Sequence, residues 1–277
     1  VSDSNITHSQ YAAQKLKDAI VDQFRDACGE RPSVKLRDPD VWLNLFIRGN
    51  KATISLDTSG GSLHRRGYRV ASVEAPMQET VAAAIIRYTG WDGERPLYDP
   101  MCGSGTLLAE AAMHYCRVPA AYLIEDFGFR RLPDFDKALW NKVRQECDAQ
   151  IRPLPPGLIS GSDKSQKDAE AAMLNLREIP GGENVSITVR PFQEIESLDD
   201  TIIVCNPPYG VRMKDQGDPG RLLGEFSEFL IERCRGAVAY IYFGKEKQIE
   251  TVRLRAAWKK PIKSGGLDGF LAKYKIR

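Results

Sequence analysis

Short apolar runs alternate with longer helical segments from residue 75 to the end of the chain, and this alternation restricts the possible folds. The runs "RPLYD", "PGLISGSD", "VSITVR", "TIIVC" and "GAVAYIYFG" are typical of strands, whereas "GTLLAEAAMHYC" and "RLLGEFSEFLIERC" have helical spacing. Repeated strand–helix units predict a doubly wound, mostly parallel α/β sheet, because parallel neighbours need a crossover connection. Two closing strands around Gly265 and Gly266 predict an antiparallel last strand.

The first 57 residues have a different pattern and predict a small module of one helix and a β-hairpin. The helix is expected over "THSQYAAQKLKDAIVDQFRDACG", with Thr7 as a candidate N-cap and Gly29 beyond its end. The hairpin is expected over "VWLNLFIRGNKATISLD", with its turn at Gly49 and Asn50. These elements alone bury little apolar surface, so we expect the remnant of a larger α/β module. The chain begins with Val1 rather than methionine, which predicts a longer parent protein.

The composition argues against a membrane-spanning protein and against a zinc site. The 277 residues include 42% hydrophobic and 27% charged side chains with a net charge of +2, which is ordinary for a globular protein. No apolar stretch approaches the roughly 20 residues that cross a bilayer. The six cysteines are dispersed without a C-x-x-C pair, and no histidine lies at metal-ligand spacing from a cysteine. We therefore predict a cytoplasmic protein with reduced thiols, no bound metal and no membrane partner.

A glycine-rich, basic segment, "TSGGSLHRRGYR", joins the two parts, and residues 58–74 are predicted to form a linker. One interpretation is a solvated linker without a specific function. The other is a nucleic-acid-binding segment, because clustered basic and aromatic side chains suit phosphate contacts and base stacking. The candidate side chains for the second interpretation are His64, Arg65, Arg66, Arg69 and Tyr68.

Three motifs follow predicted strands, at the sheet edge where open α/β folds bind their ligands. The first, "DPMCGSGT", has Asp99 at a strand end and Gly103 and Gly105 in the turn before a helix that begins at Thr106. Such glycines allow a tight turn and a close approach of the backbone to a ligand. Leucines follow Thr106, so the third glycine of a dinucleotide fingerprint is missing and a nicotinamide-dependent dehydrogenase is disfavoured.

The second motif, "SGSD", ends a strand with Asp163. An acid at this position can accept hydrogen bonds from both hydroxyls of a ribose. It can also cap the helix that follows, and the isolated motif allows both interpretations. The register with the first motif favours the ribose.

The third motif, "CNPPYG", follows the strand "TIIVC" and predicts the catalytic site. Pro207 and Pro208 end the strand and form a stiff turn; a turn without catalytic function is the alternative interpretation. The side-chain oxygen of Asn206 and the carbonyl oxygen of Pro207 could accept both hydrogens of an exocyclic amine on a nucleobase. An amine held in this way directs its lone pair toward an electrophilic methyl group, while Tyr209 could stack on the flipped base. We therefore predict catalytic roles for Asn206, Pro207, Pro208 and Tyr209.

"DPMCGSGT" followed by "NPPYG" resembles the S-adenosylmethionine-dependent amino-methyltransferases. The closer similarity is to the THUMP-containing bacterial 23S rRNA guanine-N2 methyltransferases of the RlmL type, and it includes "SGGSLHRRGYR", "APMQETVAAAI", "FGFRRLPDFDKALW" and "GGLDGFLAKY". The similarity extends over nearly the whole chain. It implies a seven-stranded Rossmann-like methyltransferase sheet in residues 75–277, with an antiparallel last strand, and a partial THUMP RNA-binding module in residues 1–57.

The resemblance also implies S-adenosylmethionine as the cofactor and RNA as the partner. Asp163 is expected to hold the ribose and Phe192 to stack on the adenine, although Pro191 stands where similar proteins usually have an acid. The side chains expected around the methionine part are Met77, Asp99, Met101, Cys102, Gly103, Gly105 and Thr106. The basic residues of the linker are expected to contact RNA.

These inferences together predict transfer of a methyl group to the N2 amine of a guanine in 23S rRNA. Methylation of adenine N6 in nucleic acid is the alternative among enzymes, because the N-P-P-Y motif fits either amine. A non-catalytic RNA-binding or assembly module is the alternative outside enzymes. The intact Asp99, Asn206 and Tyr209 argue against that last interpretation.

Overall fold

The chain divides into two compact units in the computed structural model, which describes residues 1–36, 39–73, 76–208, 219–264 and 267–277. The first unit contains Val1–Leu63 and Ile124–Asn141, and the second contains His64–Leu123 and Lys142–Arg277. Within the described ranges, no helix combines the length and the apolar character needed to cross a membrane. Tyr209 lies outside the described residues.

The first unit has the predicted helix and hairpin. Helix α1 (Ser9–Cys28) ends at Gly29 in a left-handed conformation, with φ of 78°. Its N-cap is His8 rather than Thr7, because the imidazole of His8 accepts a hydrogen bond from the backbone N–H of Tyr11. Strands β1 (Trp42–Arg48) and β2 (Lys51–Asp57) pair antiparallel, with the turn at the predicted Gly49 and Asn50.

The second unit is built on a seven-stranded sheet. Its strands are β3 (Leu97–Asp99), β4 (Ile159–Asp163), β5 (Ser186–Val189), β6 (Ile202–Cys205), β7 (Val238–Phe243), β8 (Trp258–Ser264) and β9 (Leu267–Lys275). They lie in the order β5-β4-β3-β6-β7-β9-β8. The five strands from β3 to β7 are parallel, whereas β9 pairs antiparallel with both β7 and β8, so the predicted sheet is confirmed. The helices are α2 (Glu79–Thr89), α3 (Thr106–Cys116), α4 (Lys137–Asp148), α5 (Gln166–Arg177) and α6 (Pro219–Arg233).

Each face of the sheet has its own hydrophobic core, and the central strands contribute to both. Along β6, Ile202 and Val204 join the core that contains α2, α3 and α5, whereas Ile203 and Cys205 join the core that contains α6. The alternation follows from the period of two in a strand, and burial on both faces explains why "IIVC" is apolar throughout. Helices cover both faces of the sheet, so a ligand can approach the sheet at the ends of its strands.

The predicted linker is divided between the two units, and part of the segment between α3 and β4 belongs to the first unit. Residues 58–63 belong to the first unit, and residues 64–73 belong to the second. Residues 124–141 also belong to the first unit, where the backbone N–H of Phe129 donates to the carbonyl oxygen of Thr58 at 2.8 Å. Phe127, Phe129 and Trp140 pack their rings against one another in this segment, with ring centroids 5.0–5.3 Å apart.

Candidate functional site

The carboxyl ends of three neighbouring strands surround a cavity of about 420 Å³ in the second unit. Strand β3 lies between β4 and β6. The chain continues from β3 to β4 and β5 on one side and then returns to form β6 on the other side, and open α/β folds bind ligands at such a reversal of strand order. Asp99 ends β3, Asp163 ends β4 and Asn206 follows β6; all three line the cavity. The volume lies in the range of small-molecule and cofactor sites.

The turn between β3 and α3 depends on its two glycines. Gly103 and Gly105 have φ angles of +53° and +78°, a region that other residues rarely adopt. A Cβ at Gly105 would also lie 3.0 Å from the Cβ of Ala172 on α5, so the turn packs closely on that helix. At Gly103, which lines the cavity, no atom of the described residues other than its two chain neighbours lies within 4 Å of the corresponding point. A ligand in the cavity can therefore approach the backbone of the turn closely at Gly103.

Asp163 is held in place by two backbone N–H groups, those of Gly103 and Ser165, each at 2.9 Å from one carboxylate oxygen. Ser165, and not Asp163, is the N-cap of α5, since its hydroxyl accepts from the N–H of Asp168 at 3.3 Å. The helix-cap interpretation of Asp163 is therefore wrong. Each carboxylate oxygen has a second lone pair, so this side chain can accept two hydroxyl groups of a ribose.

Asp99 is 2% exposed and accepts a hydrogen bond from the backbone N–H of Met101 at 3.1 Å. Burial raises the pKa of Asp99 well above its usual range; the hydrogen bond from Met101 lowers it in part, and the charge of Asp163 raises it further. A buried carboxyl without a cation is costly in its charged form. The site is therefore suited to a ligand that brings a positive charge next to Asp99.

Asn206 lines the cavity together with Pro208, and Pro207 is buried beside them. The side-chain oxygen of Asn206 is buried, and no group in the described part of the chain donates a hydrogen bond to it. Buried polar atoms in proteins are nearly always paired, so an unpaired acceptor in a cavity indicates that a ligand provides the donor. An amine hydrogen is such a donor.

Most of the predicted cofactor contacts line this cavity. They are Met77, Asp99, Met101, Cys102, Gly103, Thr106, Asp163 and Phe192; Gly105 instead shapes the turn behind them. The ring of Phe192 packs against Phe226 and Phe229, with centroids 5.2 and 5.6 Å away, so its position is fixed. Ser104 and Lys164 also line the cavity and were not predicted, although Ser104 lies within the first motif and Lys164 directly follows the second.

The structure revises the predicted role of the basic segment. Tyr68 is 1% exposed and its hydroxyl lies 3.3 Å from Glu110, which also pairs with Arg66 at 3.2 Å. A buried ring cannot stack on a base, and Arg66 is already engaged by a buried acid. Arg65 is exposed and His64 half-buried, so RNA binding by these two residues stays a prediction.

Arg69 supports the glycine-rich turn rather than facing outward. Its guanidinium donates to Glu79 at 3.1 Å, to the hydroxyl of Ser104 at 3.0 Å, and to the Met77 carbonyl and the Thr106 hydroxyl, both at 3.1 Å. Ser104 and Thr106 flank Gly105, and Met77 lies in the cavity wall. Arg69 therefore fixes two sides of the cavity with respect to each other.

We expect Arg69→Gln to weaken S-adenosylhomocysteine binding about 10-fold, because the turn and Met77 lose their common anchor. The variant should also lose about 1–3 kcal/mol of unfolding free energy, since Glu79 would be buried without its partner. Calorimetric titration and denaturant unfolding measure the two effects. Arg65→Gln is the matched control, because its side chain is exposed. Unchanged cofactor affinity in Arg69→Gln would contradict this role.

An open α/β sheet with a glycine-rich turn and two acids at its strand ends defines an enzyme that binds a nucleoside-containing cofactor. The family model described as "RMKL-like, methyltransferase domain" matches residues 66–273, and the THUMP domain model matches residues 1–57. The chain therefore belongs to the RMKL-like methyltransferase family and carries THUMP sequence at its N-terminus. The predicted family is confirmed.

Individual relatives agree with this assignment. The chain is 36% identical to a Synechocystis sp. protein named as a candidate RNA methyltransferase, over 98% of this chain and 71% of that protein. It is 34% identical to ribosomal RNA large subunit methyltransferase K/L of Aliivibrio salmonicida, over 98% of this chain and 39% of that protein. The crystal structure of SMU.472, a candidate methyltransferase complexed with S-adenosylhomocysteine, matches with a TM-score of 0.85 and 30% identity, over 100% of this chain and 73% of that one.

The family and the fold confirm S-adenosylmethionine as the cofactor. The residues at the cavity fit this group: Asp163 has free lone pairs for ribose hydroxyls, and buried Asp99 suits a positive charge. The chain spans well under half of the length of the K/L proteins that it matches. No cluster of His, Cys, Asp or Glu suited to a metal occurs among the described residues.

Proposed function

We propose that this chain methylates the exocyclic N2 amine of a guanine in 23S rRNA, with S-adenosylmethionine as the donor. The observation that carries the proposal is the buried side-chain oxygen of Asn206, which has no partner among the described residues and lies in the same cavity as Asp99 and Asp163. A hydrogen-bond acceptor is what an exocyclic amine requires. The cavity therefore combines groups for a cofactor with a group for the amine.

In this proposal the strand-end turn after β6 orients the amine. The side-chain oxygen of Asn206 accepts one amine hydrogen and the carbonyl oxygen of Pro207 accepts the other. Delocalisation into the ring makes the free amine a weak nucleophile, and two acceptors favour a pyramidal nitrogen whose lone pair is available. Pro207 and Pro208 fix the turn, so little reorganisation is needed when the base enters. Tyr209 is proposed to stack on the base.

The other strand ends hold and orient the donor. Asp163 accepts the ribose hydroxyls, Asp99 and the glycine-rich turn hold the methionine part, and the fixed ring of Phe192 supports the adenine. The donor, when bound, supplies an electrophilic methyl group. The target amine leaves water when it enters the cavity. The lower dielectric constant there strengthens each of these electrostatic contacts.

The substrate class is proposed from the relatives and from the N-terminal part. Proteins named as large-subunit rRNA methyltransferases match 98% of the chain, and residues 1–57 match the THUMP model. We propose that residues 1–57 bind RNA and that the methyltransferase domain, predicted over residues 75–277, extends back to include Arg69 and the buried Tyr68. The boundary with the RNA-binding part then lies within residues 58–64.

The test is methylation of ribosomal RNA from a strain that lacks the corresponding enzyme. We expect the purified chain and S-adenosylmethionine to add N2-methylguanosine to 23S rRNA, as detected by nucleoside mass spectrometry after digestion. Asp163→Ala is the negative control for cofactor use. It should retain the fold and require a higher cofactor concentration, because it removes hydrogen-bond acceptors for the ribose.

Two outcomes would contradict the proposal. Formation of N6-methyladenosine would assign the adenine amine as the target. A folded protein that binds the cofactor and RNA without methylating any RNA would support a non-catalytic binding module.

A further inference from the structure

A second cavity, of about 600 Å³, lies in the second unit at the C-terminal ends of α2 and α3. Helix α3 begins beside the cofactor cavity at Thr106 and ends at Cys116, where the second cavity opens. An α-helix rises 1.5 Å per residue, so Thr106 and Cys116, the two ends of α3, lie about 15 Å apart. Neither the proposed cofactor nor the proposed amine uses the second cavity.

Three arginines line this second cavity, which we call the arginine basin: Arg87, Arg117 and Arg152. All three are exposed, and within the described part of the chain none forms an ion pair. Asp92 is the one acid among the described residues that line the basin. The basin therefore carries an excess of positive charge.

One of these guanidinium groups is held in a fixed position. The Arg152 guanidinium lies 3.9 Å from the centroid of the Tyr115 ring, and its Nε donates to the carbonyl oxygen of Tyr115 at 2.6 Å. A guanidinium stacked in this way still has its terminal N–H groups for a second partner. Fixed, outward N–H groups on a planar cation are suited to phosphate oxygens.

Arg117 occupies a backbone position that usually favours glycine. Arg117 follows the last residue of α3 with φ of 59° and ψ of 32°, in the left-handed region. The N–H of Val118 donates to the carbonyl oxygen of Met113 at 2.9 Å, which is the helix-ending arrangement in which glycine is strongly preferred. Compared with glycine, an arginine at this position lowers backbone stability but places a positive charge at the basin.

The electrostatics of His114 agree with this charge excess. Burial lowers the pKa of His114, and the positive charge of Arg87 lowers it further, with a smaller contribution from Arg152; a hydrogen bond to the Trp91 backbone opposes the shift. His114 lines the basin and is one of three histidines in the chain. The pKa of His114 should therefore change when an anion binds nearby.

We propose that the arginine basin binds the phosphate backbone of the RNA substrate, at a point remote from the methylated base. The proposal rests on the proposed function, because RNA is the polyanion on which the enzyme acts. A structured RNA can reach both the cofactor cavity and the basin, whereas a single nucleotide beside Thr106 cannot span the roughly 15 Å to the other end of α3. The basin therefore adds affinity for folded RNA and does not contribute to the chemistry.

The decisive variant is Arg117→Gly, because it removes a phosphate-binding group and relieves the left-handed backbone. We expect its melting temperature to equal or exceed that of the parent protein. We expect its affinity for a folded fragment of 23S rRNA to fall about 3- to 10-fold at 100 mM salt, and its salt slope to fall by roughly 0.7–0.9, because one phosphate contact is lost. Arg87→Gln combined with Arg152→Gln should add to the loss. Arg255→Gln, an exposed arginine outside the basin, is the matched control.

A spectroscopic measurement separates direct binding from an indirect effect. Titration of the His114 ring by NMR should show a higher pKa in the presence of a 10-base-pair RNA duplex than without it, because a nearby phosphate stabilises the imidazolium. The shift should be smaller in Arg117→Gly. Cofactor affinity should be unchanged in all basin variants.

Two results would overturn the proposal. Basin variants that bind and methylate RNA like the parent protein would show that the basin is not used, while the proposed function would stand. Variants that lose stability but retain RNA affinity would assign the arginines to favourable contacts with the helix C-termini. A parent protein that neither binds nor methylates RNA would instead refute the proposed function itself.

Discussion

Asn206→Ala is expected to lower kcat by about 10²–10³-fold, because it removes an acceptor that acts on the reacting nitrogen. Cofactor affinity should be nearly unchanged, since the residues assigned to the cofactor belong to other strand ends. Stability should not fall much. The oxygen that is removed has no partner among the described residues, so no internal hydrogen bond is lost. Single-turnover kinetics and calorimetric titration with S-adenosylhomocysteine measure these effects.

Asn206→Asp is the matched control for this experiment. Aspartate retains an acceptor oxygen at the same position with nearly the same volume, so it should retain more activity than alanine. A purely structural turn gives a different result: alanine would lower stability, and kcat and KM would change together. A folded Asn206→Ala protein with near-normal turnover would refute the catalytic role of this motif.

Asp99→Asn is expected to raise the melting temperature of the cofactor-free protein and to weaken cofactor binding by at least 10-fold. Burial raises the pKa of Asp99, so the folded state favours the protonated form. The stability contributed by this group is present at pH values below its ordinary pKa, near 4, and is lost as pH rises through the raised pKa of the folded protein. Asparagine imitates the neutral form and retains an oxygen for the Met101 N–H. It offers no negative charge to a positively charged ligand.

The pH dependence makes this prediction specific. The gain in melting temperature for Asp99→Asn should be small at pH 4 and should increase toward pH 8. In the parent protein, cofactor binding at pH values below the raised pKa should release protons, because a cation favours the charged carboxylate. Calorimetric titration in buffers of different ionisation enthalpy detects this release. A stability gain of equal size at every pH, with unchanged cofactor affinity, would contradict the assigned role of Asp99.

The strand ends could be predicted from the sequence because their signals are local. Asp99, Asp163 and Asn206 each follow a short apolar run, and parallel strands bring their carboxyl ends to one edge of the sheet. The mostly parallel sheet and its antiparallel last strand follow from the same pattern and from the resemblance, whereas the order of the strands was not predicted. The strand-end residues of the cavity could therefore be identified from short sequence segments and from their positions after the predicted strands.

The role of the basic segment could not be predicted in the same way. Arg66 and Arg69 look like phosphate contacts beside Arg65, yet their buried partners are Glu110 and Glu79 on helices further along the chain. Asn175 similarly forms hydrogen bonds of 2.9 Å with both the N–H and the carbonyl oxygen of Ala71, which lies 104 residues earlier. Such pairings depend on the tertiary fold, and periodicity and composition carry no information about them.

The return of residues 124–141 to the first unit has a consequence for synthesis of the protein. The N–H of Phe129 bonds to Thr58, and a Cβ at Gly128 would lie 2.7 Å from the carbonyl oxygen of Asp57, so this segment packs closely on the end of β2. A nascent chain released only as far as residue 63 therefore lacks part of the first unit. Roughly 80 further residues, or about 4–16 s of translation, must follow before the missing segment is available. During that interval the contacts between residues 124–141 and the end of β2 cannot form.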